Sequence, residues 1–183
     1  MAHDRASWNV KGEGILRELV EMMALTGEEK ALLGALQAQA RASAPALLDV
    51  FYNRLLNHSN TAEYLQTASM ERLHGAVSDW FTDIFGGKYE EAYAQKRLKI
   101  GQVHVHIGLP VRYPLAMLDV IMPFGEQIVK SSPQPDQALV AFRKVLALDI
   151  AIFNQAYEDN QLKHLSELVG GERLARLLLS GMD

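Results

Sequence analysis

The chain has 183 residues, 49% of them hydrophobic and 22% charged, with a formal charge of −4 and no cysteine. That length and composition describe one folded domain, large enough to enclose a core and leave a pocket. The acidic balance speaks against phosphate-backbone binding, which needs a basic face. The lack of cysteine removes disulfides, thiolate metal sites and cysteine nucleophiles. No apolar run approaches the ~20 residues of a membrane span, and the first residues are too polar to open a signal peptide. A soluble, cytoplasmic domain is expected, with neither nucleic acid nor membrane as partner. Its candidate metal ligands are six histidines: His3, His58, His74, His104, His106 and His164.

Helical periodicity dominates the chain and strand-like alternation is scarce. Amphipathic stretches are expected over 14–24, ending at Thr26-Gly27, and over 28–42. Ser43-Ala44-Pro45 reads as the start of the next helix, 45–57, because proline is tolerated in a first turn. A long helix over 69–85 carries the stripe Met70, Leu73, Val77, Trp80, Phe81 and Ile84, and Gly86-Gly87 stops it. Further helices are expected over 88–107, over 112–130 with Pro123 as a kink point, and over 135–160. A last segment, 162–180, is interrupted at Gly170-Gly171. Seven to eight helices joined by short loops make an all-α domain, with no repeats and no internal boundary.

Chemistry concentrates between Arg97 and Pro110. Two histidines at i and i+2 on a helix point about 200° apart, so His104 and His106 cannot share a metal from one face. His104 has Ile100 one turn before it and Ile107 after it, which puts it on the apolar face. His106 has Gln102 and Lys99 for neighbours and faces water. Gly101 and Gly108 flank His104 and strip side chains from around the imidazole, so that a flat ligand can approach the helix. Spacing alone leaves open the alternative of a buried histidine bonded to a carbonyl.

The run Ile100-Gly101-Gln102-Val103-His104-Val105-His106-Ile107-Gly108-Leu109 resembles the haem-ligating helix of globin-coupled sensors. The resemblance covers most of the chain and places the proximal histidine at His104. Phe51-Tyr52 matches the family's Phe-Tyr pair, whose tyrosine donates a hydrogen bond to the bound gas. Leu73 falls on the leucine that crowds the gas site. Some relatives carry a hydroxyl residue one turn later; here that place holds Ala76, which leaves Tyr52 as the single donor. His74 competes as a distal histidine, but Glu71 and Ser78 make its face more polar. The Lys88–Arg97 run also matches, and the resemblance offers Arg97 a haem propionate, against a plain solvated arginine. Tyr113 resembles a proximal-side tyrosine able to hydrogen-bond near His104, and Ile107 belongs to the haem-contacting motif.

Carried through, the resemblance implies a globin-like helical sandwich with an extra N-terminal helix. It would hold haem b (iron protoporphyrin IX), with O2 as ligand and CO and NO as competing gases. Residues 1–160 would form the sensor globin and 161–183 a helical extension toward an output module, in cis or in trans, with a diguanylate cyclase as the output the resemblance implies. The apolar surplus on the last two long helices (Leu115, Leu118, Ile121, Leu139, Phe142, Leu146, Ile152, Phe153) agrees with the family's homodimer. No phosphate loop, kinase motif or cyclase signature occurs in the chain, so no catalytic site is expected within it. Two rivals are a cofactor-free helical module that binds a protein, and a di-iron carboxylate bundle. The latter needs two Glu-x-x-His pairs, and Glu71–His74 is the single one present.

Overall fold

Apolar periodicity becomes helix along the chain, with the ends set by caps. In the computed structural model, which describes residues 5–66 and 68–181, the order is α1 (Glu13–Met23), α2 (Gly27–Gly34), α3 (Gln37–Leu56), α4 (Ser59–Ala62), α5 (Met70–Ile84), α6 (Glu91–His106), α7 (Arg112–Ala116), α8 (Leu118–Val129), α9 (Pro135–Val169) and α10 (Glu172–Ser180). His3 lies outside the described residues. No strand occurs among those described, so the all-α expectation stands. Thr26 opens α2 with a capping box: its hydroxyl accepts the Glu29 N–H at 3.1 Å while Glu29 accepts the Thr26 N–H at 2.8 Å. Ser69 caps α5 through the Arg72 N–H.

Three boundaries differ from the sequence expectation. The helix does not restart at Pro45; α3 runs straight through it. Pro45 is exposed, so the Arg41 carbonyl that it leaves unpaired meets water. The break falls instead at Ala35-Leu36, where Leu36 turns into the core. The expected 112–130 helix divides at Met117, and Pro123 sits inside α8. No break follows Asn160: α9 continues for 35 residues, about 52 Å at 1.5 Å per residue. At Gly170-Gly171 the chain turns back, and α10 packs along α9 with Ala175 buried. Glu172 then pairs with Lys11 at 2.6 Å, tying the end of the described chain to its beginning.

The long α9 is the spine against which α1, α2, α5, α6, α8 and α10 all pack. Phe85 stacks on Phe142 at 5.6 Å, and Phe142 lies against Gly125, so that α5, α8 and α9 close one core. This packing absorbs most of the apolar surplus expected to face a second copy. Ile121, Phe142, Leu146 and Ile152 are buried within the chain, while Leu115, Leu118 and Phe153 face an internal cavity. Counting apolar residues on these helices therefore overstated the surface left for a partner.

At the crossing of α6 over α9 the two backbones come close together. A Cβ on Gly101 would meet the Ala156 Cβ at 2.7 Å and the Phe153 carbonyl oxygen at 3.0 Å. Gly101 thus lets two backbones approach; it does not clear room for a ligand, as its spacing from His104 had suggested. Gly101→Ala should lower unfolding stability by about 1–3 kcal/mol, as overpacking does, and Gly101→Ala/Ala156→Gly should recover much of the loss. Denaturant titration of the three proteins checks this.

Candidate functional site

Between α3 and α5 on one side and α6, α8 and α9 on the other lies a cavity of about 660 Å³. Its walls are mainly apolar, and its size falls in the range of small-molecule and cofactor pockets. Val103 of α6 and Ile107, its C-cap, line it and are 50% and 48% exposed, because no described residue covers them.

His104 stands on the last turn of α6. The helix ends in a Schellman motif: the Leu109 N–H bonds the His104 carbonyl oxygen at 3.0 Å and the Gly108 N–H bonds that of Val105. Gly108 takes the left-handed conformation that this cap requires, with φ +71°. The Ile-Gly-Leu sequence is therefore a helix stop that fixes His104 three residues from the C-cap. The imidazole Nδ1 lies 2.8 Å from the Ile100 carbonyl, which sets Nδ1 as the protonated nitrogen. Its Nε2 has no hydrogen-bond partner among the described residues. Burial holds His104 below the usual histidine range of 6.5, in the neutral form. Phe153 meets the ring edge to face at 5.2 Å. His106, Gln102 and Lys99 are exposed on the far side, as their spacing indicates.

On the opposite wall, Tyr52 is buried and lines the cavity, with Phe51 against it at 5.4 Å. No described residue hydrogen-bonds its hydroxyl. Burial pushes the phenol up to about 12, so it remains a donor at any physiological pH. Leu73, Ala76 and Val77 of α5 complete this wall, which carries no hydroxyl one turn after Leu73. His74 is closer to the site than its polar neighbours suggest. Its ring lies 4.4 Å from that of Tyr52, and its Nε2 is buried without a partner.

Two expectations are corrected here. Arg97 is not solvated; it lines the cavity 2% exposed and is bound at 3.0 Å to Asp149, itself 5% exposed. Asp149 also accepts from Trp80 Nε1 at 2.9 Å and from the Tyr93 hydroxyl, while Arg97 donates to the Trp80 carbonyl at 3.1 Å. The guanidinium lies over the Tyr93 ring at 4.1 Å. Burial raises the Asp149 carboxyl and the Arg97 charge opposes it. This network joins α5, α6 and α9 beside the cavity. The sequence signal for it was a lone carboxylate inside the apolar run Leu146–Ile152.

Tyr113 lines the cavity mouth near His58, but its hydroxyl accepts from Arg112 at 3.3 Å and makes no bond to His104. The tyrosines that reach the proximal turn are others. Tyr157 donates to the Leu109 carbonyl oxygen at 2.8 Å, and Tyr64 donates to that of Gly108 at 3.3 Å. No group of three or more His, Asp or Glu residues among those described could hold a metal, which leaves the di-iron reading without ligands.

An all-helical globin-like domain with one inward histidine and an apolar cavity is the class that fold and site define. The family model for Protoglobin matches residues 13–163, and the chain belongs to that family. The globin domain of the Geobacter sulfurreducens globin-coupled sensor is 30% identical; the match covers 76% of this chain and 95% of that domain, with a TM-score of 0.70. The ferric globin domain of E. coli DosC shares the fold at 19% identity, covering 79% of this chain and 98% of its own, with a TM-score of 0.61. The heme-based aerotactic transducer HemAT of Halobacterium salinarum is 24% identical over 185 residues, covering 91% of this chain. The chain spans only 38% of that transducer's length. The resemblance to globin-coupled sensors is thereby borne out.

Removing Asp149 alone strands the Arg97 charge. Asp149→Ala should lower stability by about 3–5 kcal/mol, and the apolar pair Arg97→Met/Asp149→Leu should recover most of it. Urea unfolding measures both. For His104, a folded pKa below 6.5 means that its contribution to stability is complete above pH 6.5 and declines as pH falls below that value. The unfolded chain then takes up a proton that the buried imidazole refuses. The stability gap between wild type and His104→Gln should therefore narrow as pH drops below 6.5, measured by the same titrations.

Proposed function

We propose that the chain is a haem-based gas-sensing domain, with His104 as the proximal ligand and Tyr52 as the distal hydrogen-bond donor. The observation that carries this reading is the unpartnered Nε2 of His104 facing an apolar cavity whose other wall presents the unpartnered Tyr52 hydroxyl. The donor set fits haem b: a neutral imidazole whose other nitrogen is held by a carbonyl is the arrangement found on metal-ligating histidines. His104 would hold the haem, which would supply an iron centre able to bind a diatomic gas within reach of Tyr52.

The remaining work falls to the side chains. The Ile100 carbonyl orients the imidazole and keeps Nε2 available. Val103, Ile107 and Leu118 exclude water from the faces of a flat ligand, and Leu73 with Ala76 restricts the space beside Tyr52. The Tyr52 hydroxyl offers one hydrogen bond, worth about 1–3 kcal/mol to an acceptor with partial negative charge. That difference separates O2 from the weakly polar CO and from NO.

Sensing needs a second state, and a gas shifts the balance only if it binds the two states unequally. We read α9 and α10 as the path to an output module in cis or in trans, with a diguanylate cyclase as the class taken over from the sensor resemblance. Met122 of α8 and Val140 of α9 remain 42% and 51% exposed; they support a homodimer through these helices.

Purified protein should take up hemin and show a Soret band near 400–430 nm, and a protein that takes up none would overturn the reading. His104→Ala should lose the haem, whereas His106→Ala should retain it. Tyr52→Phe should release O2 about tenfold to hundredfold faster, by stopped flow, with CO release much less affected.

A further inference from the structure

The turn that follows His104 is held from two sides, and one of those holds belongs to a closed ring of contacts. The His104 carbonyl oxygen accepts the Leu109 N–H at 3.0 Å. The Leu109 carbonyl oxygen accepts the Tyr157 hydroxyl at 2.8 Å. The Tyr157 ring packs on Phe153 at 5.3 Å, and Phe153 packs on the His104 imidazole at 5.2 Å. Main chain and side chain of one histidine are thus both tied to a single turn of α9. Tyr64 also reaches this turn, at the Gly108 carbonyl, but from the 3-10 turn Glu63–Leu65; it lies close enough to Tyr157 to help raise that phenol, yet makes no hydrogen bond to α9 among the described residues.

We infer that Tyr157 is a positioning residue for His104, and that its bond to Leu109 couples the setting of the imidazole to α9. The inference rests on the gas-sensor reading for its use, though not for its geometry. A shift of the imidazole along its Nε2 direction moves both ends of the ring together. Phe153 feels the side chain and Tyr157 feels the turn, so α9 receives the displacement at two points one helical turn apart. Were the hydroxyl absent, the turn could yield by itself and α9 would register only the Phe153 contact. Tyr157 is not among the cavity-lining residues and makes no hydrogen bond to Nε2; its contacts to the site run through Leu109 and Phe153.

Hydrogen exchange followed by mass spectrometry, on the full chain with and without hemin, tests this in wild type, Tyr157→Phe, Phe153→Leu and Tyr64→Phe. In wild type, hemin should slow exchange both at the Gly108-Leu109 turn and in α9 around Phe153 and Tyr157. Without hemin, Tyr157→Phe should exchange at the turn about five- to tenfold faster, the factor that one neutral hydrogen bond sets. With hemin it should lose much of the α9 response while keeping the Soret band. Tyr64→Phe should loosen the turn and keep the α9 response; Phe153→Leu should weaken the α9 response with the turn still protected. An α9 response in Tyr157→Phe equal to wild type would overturn the inference, as would faster exchange in every helix, which marks a role in stability alone. Failure of wild type to take up hemin would sink the gas-sensor reading, while the hemin-free comparison still judges the Tyr157 bond.

Discussion

Close approach of α6 to α9 is the constraint on which the other features depend. At Gly101 the two helices meet with no room for a single added carbon. On either side of that point, residues one turn apart on α9 find partners on or beside α6. Asp149 takes Arg97, Phe153 takes His104, and Tyr157 takes the Leu109 carbonyl. Their spacing of four keeps them on one stripe of the long helix. Widening the crossing by the size of a methyl group would loosen all three contacts at once, since each tolerates only a few tenths of an ångström. A backbone requirement at one glycine therefore governs a charge pair, an aromatic contact and a hydrogen bond.

The cavity follows from the same geometry. With one face of α6 pressed onto α9, the adjoining face with Val103, His104 and Ile107 has no helix to cover it. Apolar surface left open in this way is unfavourable, and a ligand that covers it stabilises the folded chain by an amount that grows with the logarithm of its concentration above Kd. The Arg97–Asp149 pair lies where the cavity meets the crossing. A buried ion pair adds little net stability, because desolvation offsets attraction. Its value lies in direction: Asp149 has acceptor sites that Arg97, Trp80 and Tyr93 satisfy together, so α5, α6 and α9 fit in one relative setting.

Much of this was legible in the sequence, and the failures have physical causes. Helix faces told His104 from His106, because local periodicity determines orientation; Phe51, Tyr52, Leu73 and Ile107 were named through the resemblance to globin-coupled sensors, and all four line one cavity. Contacts between distant segments could not be seen that way. Arg97 lines the cavity as its helix face indicates, but nothing local announces that Asp149, 52 positions later, will pair with it there. Gly101 was assigned to ligand access because its partner, Ala156, belongs to another helix. Tyr113 was named through the family resemblance, but its hydroxyl accepts from Arg112, and the turn is reached by Tyr157, which no local pattern singles out. Pro45 misled for the opposite reason. Its local rule is sound for a buried position, but on an exposed face the lost hydrogen bond is returned by water.

The two walls of the cavity differ in how readily they can move. Tyr52 is set within the 20-residue α3, with helical hydrogen bonds on both sides and burial that fixes its ring. His104 occupies the last turn of α6, where the intrahelical ladder runs out and the cap takes over. A force applied between the walls displaces the softer one, so the histidine side yields while the tyrosine side acts as a fixed reference. The yielding side is also the one fastened to α9, which continues beyond Tyr157 to Val169 and the turn into α10. Because bonding of the main chain at this turn involves side chains of α9 and of the segment after α3, its compliance is adjustable by single hydroxyls. Under the proposed gas-sensor reading, the distal wall would set which gas is preferred, and the proximal turn would set how much of the binding energy reaches the long helix.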